Sequence, residues 1–315
     1  MVNSLVENPT WYIIDPSKMK EYMGCPRQYF FRHILGWEIE TNNVNLVFGE
    51  AWHRAMRVLL LSGKTDLGIA SGYQELEAYY RENFPDVLTD ETRSPKTPSI
   101  ALTSLIDYCE YYKSDDFEVI ETEVAGTVPI NPEDISERMS FRIDAICKDS
   151  NGYFVLEHKT GSRESEAWKN QWELSVQVGL YIHTLFCIYP QKEVWGARVN
   201  GAIFRRTKGT VFIRVPVRRT PEAMVNWMIQ TQTWYKRILE DTRNVLNESA
   251  LSPAMTSFPM NTENCTKYKT CPYHDFCVCW NNPLQRLNEG CPDGFIVNFW
   301  NPEDVKKRAN KVIDL

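Results

Sequence analysis

The spacing of apolar positions changes along the chain. Through the first third they recur every three to four residues. That period predicts helices over "DPSKMKEYMGCPRQYFFRHIL" (15–35) and over about 47–63, 66–83 and 99–113. Asp15 before Pro16 is an N-cap followed by a first-turn proline. "ETRSPKTPS" (91–99) reads as a polar, proline-bearing loop. From residue 117 the period drops to two: "FEVIETEVAG", "RMSFRIDAICK" and "YFVLEHK" predict strands. A long helix is expected over about 164–189. A hairpin follows from "GARVNGAIFRR" and "TVFIRVPV", with Lys208-Gly209 in its turn. A further helix starts after Thr220, its N-cap, with Pro221 at the first position. From about 250 the chain reads as loop-rich. The order predicts an α/β protein with helices first, a small sheet with helices next, and a cysteine-bearing tail.

Composition narrows the class. The chain has 315 residues, 43% hydrophobic and 24% charged, ordinary globular values that allow one large domain or two modest ones. No run of about 18 apolar residues occurs, so no membrane span is expected. The N-terminus lacks the basic start and apolar stretch of a secretory signal, so an intracellular, cytoplasmic location is expected. Net charge is −6 with a pI near 5.5, an average that weighs against a nucleic-acid partner. The average hides a basic stretch, "IFRRTKGTVFIRVPVRR", which holds Arg205, Arg206, Lys208, Arg214, Arg218 and Arg219. Nine cysteines, an odd count, argue against a disulfide framework. Cys109, Cys147 and Cys187 stand in apolar contexts and read as core. Cys265, Cys271, Cys277, Cys279 and Cys291 crowd toward the C-terminus, and Cys25 stands alone.

Candidate chemistry gathers where two apolar strands end. "KDSNG" joins "FRIDAIC" to "YFVLEHK", and Asn-Gly favours a hairpin turn. With Ser150-Asn151 central in the turn, Asp144 faces Glu157. With Asn151-Gly152 central, Asp144 faces Lys159. Either register puts Asp144, Glu157 and Lys159 on one face of the sheet. Two carboxylates suit a hard divalent cation such as Mg²⁺, and a lysine beside them can stabilise developing negative charge on a phosphoryl group. His158 alternates to the other face. An Asp with a Glu–Lys pair on a sheet edge is also what a structural ion pair looks like.

The company of these residues sharpens the reading. The spacing Asp144-x₁₂-Glu157-x-Lys159 resembles the core motif of the PD-(D/E)XK nuclease superfamily. "FGEAWHRAM", with Gly49-x₃-His53, resembles the metal-binding histidine element of RecB-type nucleases, including those of the AddAB complex and of CRISPR adaptation. "VQVGLYIHTL", with Gln177-x₃-Tyr181, is similar to the element after their lysine, and "SKMKEYMGCPRQYFFR" resembles their N-terminal helix. The resemblance covers about 15 to 280. It implies a restriction-endonuclease-like mixed sheet flanked by helices. It also implies Mg²⁺ or Mn²⁺ held by His53, Asp144, Glu157 and the backbone carbonyl of His158, with Lys159 catalytic. Gln177 and Tyr181 would hold DNA or orient the lysine, and Glu123 would bind a second metal or, as the simpler reading, be a solvated strand residue.

The tail, "NCTKYKTCPYHDFCVCW", gives Cys265-x₅-Cys271-x₅-Cys277-x-Cys279. Thiolates are soft ligands for zinc or an iron–sulfur cluster. The resemblance implies a 4Fe-4S staple on Cys25, Cys265, Cys271 and Cys277, with Zn²⁺ as the alternative and Cys279 as the alternative to Cys277. The interval between Cys265 and Cys271 departs from the two-residue spacing frequent in related exonucleases.

The expected organisation is a helical region over 1–115, the nuclease core over 116–250 and the cluster-closing tail over 251–315. The expected activity is hydrolysis of single-stranded DNA or DNA ends in repair, recombination or phage DNA processing. Arg163, Arg205, Arg206 and Lys208 are candidates for the strand phosphates, and Trp168 and Trp172 for stacking or, more simply, core packing. No Walker motif is present, so unwinding would need a helicase or recombination partner. The competing reading is a non-catalytic, nuclease-like DNA-binding or scaffold module with a structural metal centre.

Overall fold

The computed structural model describes residues 5–267 and 270–315. In chain order its helices are α1 (Pro16–Gly24), α2 (Pro26–Tyr29), α3 (Val44–Ser62), α4 (Asp66–Asn83), α5 (Asp90–Arg93), α6 (Pro98–Tyr111), α7 (Glu166–Asn170), α8 (Val176–Ile188), α9 (Pro221–Asn247) and α10 (His274–Cys279). The strands are β1 (Trp37–Ile39), β2 (Glu118–Pro129), β3 (Arg138–Asp149), β4 (Gly152–Gly161), β5 (Val194–Arg205), β6 (Gly209–Val217), β7 (Phe295–Val297) and β8 (Lys311–Asp314). β1 pairs with β7, and the other six strands form a mixed sheet in the order β6-β5-β4-β3-β2-β8. β4 and β5 are parallel, while β3–β4 and β5–β6 are antiparallel. This is the expected α/β, restriction-endonuclease-like architecture. No helix among the described residues is long and apolar enough to cross a membrane.

The chain packs as two compact units. One gathers 1–41, 127–141 and 225–307; the other gathers 42–126, 142–224 and 308–315. In the second unit, α3, α4 and α6 bury Phe48, Trp52, Leu76, Tyr80, Leu105 and Tyr108 with Phe204 and Phe212 of the sheet. Each such side chain contributes about 1.5–3 kcal/mol of burial. Thr65 and Thr97 cap α4 and α6 through bonds from Gly68 N and Ile100 N. In the first unit, Arg27 is buried and donates to the carbonyls of Phe258 and Met255.

Two local expectations are corrected. The helix over 15–35 is not continuous. Asp15 caps it by accepting from Lys18 N at 2.7 Å, but Cys25 is extended (φ −161°, ψ 110°) and Pro26 starts a new helix. A residue before proline is pushed out of the helical region, and proline has no N–H to continue the ladder. The helix over 164–189 is two, because Ser165 and Ser175 each cap a separate start, accepting from Trp168 N and Val178 N. The loop-rich tail also supplies a strand: β8 lies at the edge of the sheet beside β2. Gly126 permits that approach, since a Cβ there would fall 1.7 Å from the Ile313 carbonyl oxygen.

Candidate active site

The β3–β4 hairpin takes the register with Ser150-Asn151 in the turn, Asp149 paired with Gly152 and Ala145 with Leu156. The ladder stops there, at the acidic end. Asp144 and Glu157 are the next residues out, and both are buried. Asp144 Oδ2 accepts from the His158 backbone N–H at 2.8 Å, and Asp144 Oδ1 meets His53 Nδ1 at 3.0 Å. His53 comes from α3, which packs on β4; a Cβ on Gly49, one turn earlier, would lie 3.5 Å from Thr160 Oγ1.

Glu157 Oε1 pairs with Lys159 Nζ at 2.6 Å and accepts from Gln177 Nε2 at 3.2 Å. Gln177 also donates to the Tyr181 hydroxyl at 2.8 Å, one turn along α8. Tyr181 in turn donates to the Arg142 carbonyl. His53, Asp144, Glu157, Lys159, Gln177 and Tyr181 therefore sit in one neighbourhood. Only the His158 main chain joins them, for its buried ring has neither nitrogen hydrogen-bonded and lies near Tyr108 and His53.

Electrostatics follow from burial and crowding. Burial raises Glu157, the Asp144 charge raises it further, and Lys159 only partly offsets them, leaving it at about 7. Burial also opposes ionisation of Asp144, but His53, then His158 and Lys159, hold its carboxyl below the usual range. Burial disfavours the Lys159 ammonium, yet Glu157 and Asp144 more than reverse this and keep it protonated. Burial pushes the His158 ring down to about 3, so it stays neutral.

Among the described residues no three His, Cys, Asp or Glu side chains already stand as a metal-binding group. Both Asp144 oxygens are engaged, by His53 and the His158 N–H, and one Glu157 oxygen is engaged by Lys159 and Gln177. The donor set still suits a hard divalent cation. Glu157 Oε2 is buried without a hydrogen-bond partner, and an added positive charge would relieve the repulsion between the two carboxylates.

Two residues within the quoted motifs had no role assigned from sequence. Arg142, two before Asp144 on the same strand face, donates to Glu123 at 2.8 Å and lies 3.5 Å from Glu50, three before His53. Glu123 is thus buried and paired rather than a solvated strand residue. Its backbone is left-handed (φ 49°), strained for a glutamate. Period two on β3 and the three-residue step on α3 were the available signals. Trp168 packs on the sheet; a Cβ on Gly201 would come 2.1 Å from its ring, so glycine is required there. Trp172 is packed edge-on to Trp168, with Lys159 Nζ 6.0 Å from its ring centre. Of the basic residues, Arg214 is committed to Asp115 and Asn200, and Arg219 to the carbonyls of Glu173 and Ser175. Arg163, Arg206 and Lys208 are exposed, and Arg205 lies 4.0 Å from Glu164.

Cys25, Cys265, Cys271, Cys277 and Cys279 belong to the other unit. Cys25 is buried at the α1–α2 break, where its sulfur accepts from Asn261 N at 3.4 Å. Cys271 N donates to the Cys265 carbonyl at 2.8 Å, and Cys271 Sγ lies 3.9 Å from Gln28 Oε1. Burial pushes the Cys277 thiol up to about 11; Arg27 opposes this, while Cys25, Cys271 and Cys265 add to it. Cys277 is therefore in electrostatic reach of the other three sulfurs. Cys279 is exposed.

None of the curated proteins matches the sequence. Among solved structures, a candidate exonuclease from Eubacterium rectale aligns at 12% identity over 75% of this chain and 82% of its own, with a TM-score of 0.39. The protein SSO0001 aligns at 12% identity over 75% and 94%, with a TM-score of 0.26. The sequence description of the PD-(D/E)XK nuclease superfamily matches residues 14–278, a span that holds the paired carboxylates, the lysine and the His53 helix. The chain belongs to the PD-(D/E)XK nuclease superfamily.

Proposed function

We propose that this protein is a metal-dependent deoxyribonuclease that hydrolyses phosphodiester bonds of single-stranded DNA or of DNA ends, as an exonuclease. The observation that carries the reading is the pair of buried carboxylates, Asp144 bonded to His53 and Glu157 to Lys159 and Gln177, which reaches on to Tyr181, with one Glu157 oxygen left unpartnered. His53, Asp144, Glu157 and the His158 carbonyl would hold Mg²⁺ or Mn²⁺, the usual metals of this superfamily. When bound, the ion supplies polarisation of the phosphoryl group and a more acidic water.

The remaining work falls to the protein's own groups. Lys159 keeps its proton, so it offers positive charge to the oxyanion that develops as the bond breaks. Gln177 fixes the Glu157 carboxylate. Tyr181, with its hydroxyl proton held well above its ordinary pKa first by burial and then by Glu157, positions Gln177 and the β3 backbone and does not act as a base. Unwinding of duplex DNA would come from a helicase or recombination partner. In the other unit, Cys25, Cys265, Cys271 and Cys277 would hold a 4Fe-4S cluster, with zinc as the alternative. The electrostatic reach of Cys277 to the other three sulfurs, beside the buried Arg27, supports a thiolate-bound centre.

The test compares linear and circular single-stranded DNA with Mg²⁺ or Mn²⁺. Exonuclease action consumes the linear form and spares the circle. Lys159→Ala is expected to lower the rate by roughly 10²–10³, the cost of losing one oxyanion donor. A variant as active as wild type would remove Lys159 from the chemistry. Iron and sulfide analysis of anaerobically purified protein, set against zinc content, decides the cluster.

A further inference from the structure

A second site lies beside the first in the same unit. A cavity of about 390 Å³ is lined by Asn45, Arg93, Lys96, Ser162 and Arg206, among others, and by no carboxylate. Lys96 is the central observation. It is 6% exposed, and its ammonium donates to Asn45 Oδ1 at 2.7 Å but makes no ion pair among the described residues. A buried ammonium without an anion is costly, and burial pulls its pKa down. Arg206 is exposed and likewise makes no ion pair among the described residues. Arg93 lies 4.0 Å from Asp90, but that carboxylate is already bidentate to Arg81 at 2.9 and 2.6 Å. The cavity also meets the first turn of the 19-residue helix α3, whose N-terminal end carries partial positive charge.

Position relates the cavity to the acidic site. Ser162 is three residues past Lys159 at the end of β4, about 10 Å of extended chain. Asn45 is eight residues before His53 in α3, about 12 Å of helix. We propose that this cavity is a phosphate-binding subsite, in which Lys96, Arg206 and Arg93 hold a backbone phosphate of the substrate strand a few nucleotides from the scissile one. The identity of the ligand as a nucleic-acid phosphate rests on the nuclease reading above.

The experiment measures binding of a dye-labelled oligodeoxythymidylate by anisotropy, without divalent metal, as a function of salt. Arg206→Ala removes an exposed side chain and is expected to fold. It should weaken binding about threefold, in keeping with an exposed charge pair, and flatten the salt slope by about 0.7, one phosphate on a single strand. Lys96→Met should cost about tenfold, as for a hydrogen bond to a charged group. A single uncharged methylphosphonate linkage walked along the oligonucleotide should weaken wild-type binding most at one position a few nucleotides from the cut. That dip should vanish in Arg206→Ala, which a merely structural role would not produce. If both variants keep the wild-type slope and profile, the subsite is overturned. A wild type that neither binds the oligonucleotide nor cuts it once Mn²⁺ is added overturns the nuclease reading instead.

Discussion

The acidic site and the Lys96 cavity both draw on α3, and Ser162 of the cavity follows directly on the β4 strand of the acidic site, yet the two balance charge in opposite ways. At the acidic site each ion has a partner: Asp144 has His53 and Glu157 has Lys159, at 3.0 and 2.6 Å. At the cavity a buried ammonium meets only an amide oxygen, and Arg206 makes no ion pair among the described residues. Neutrality inside the fold is achieved at the first place and withheld at the second. The first is balanced without a ligand, whereas the second stays under-neutralised until an anion arrives. A metal-bound phosphodiester strand supplies both charges at once, positive for the carboxylates and negative for the lysine.

The comparison breaks most visibly at Glu157. Glu157→Gln removes the unpartnered oxygen's charge while keeping its shape. Mn²⁺ affinity, followed by calorimetry, is expected to fall by more than about 100-fold, the upper end of what loss of a supporting residue costs. Lys96→Met should leave Mn²⁺ affinity unchanged, because the cavity takes no part in holding the cation. Equal Mn²⁺ binding by Glu157→Gln and wild type would remove Glu157 from the metal site and with it the contrast between the two places.

A smaller effect tests the arm that orients Glu157. Gln177 bridges Glu157 Oε1 and the Tyr181 hydroxyl. Gln177→Leu keeps the volume and deletes both bonds. Metal affinity should drop roughly 30-fold, within the range for residues that orient a ligand. Retention of wild-type affinity would mean that Lys159 alone fixes the carboxylate.

Much of the acidic site was legible because its chemistry is written in short spacings. Asp144, Glu157 and Lys159 share a face through period two and a hairpin turn, and His53 and Gln177 stand at fixed helical intervals from a glycine and a tyrosine. The strands were legible from their period of two, while the mixed sheet came with the family resemblance. What escaped depends on partners distant in sequence. Arg142 sits inside a quoted motif, but its role needs Glu50 and Glu123, which arrive from α3 and β2. β8 is four residues whose pairing beside β2 no local pattern announces. "ETRSPKTPS" reads correctly as an interruption between helices, yet nothing in it says that Lys96 will be buried without a carboxylate. The break at Cys25 was available from Pro26, and apolar periodicity outweighed it in the reading.

The subtlest test concerns proton balance in the acidic site without metal. Glu157 is raised to about 7, by burial and then by Asp144. Between the ordinary carboxylate range and about 7 the folded chain therefore keeps a proton that the unfolded chain has released, so stability falls as pH rises through that window. Asp144 acts in the opposite sense. Its carboxyl is held low despite burial, so its contribution is complete above the ordinary range and is lost only on stronger acidification. Denaturant unfolding of the metal-free protein from pH 5 to 8 should show wild type losing stability relative to Glu157→Gln, by about 1 kcal/mol per pH unit at the steepest. Saturating Mn²⁺ should lift wild type above the variant, since only wild type offers the carboxylate that binds it. Parallel curves in the absence of metal would mean that Glu157 ionises like a surface carboxylate, and the acidic site would then owe its neutrality to solvent rather than to Lys159 and His53.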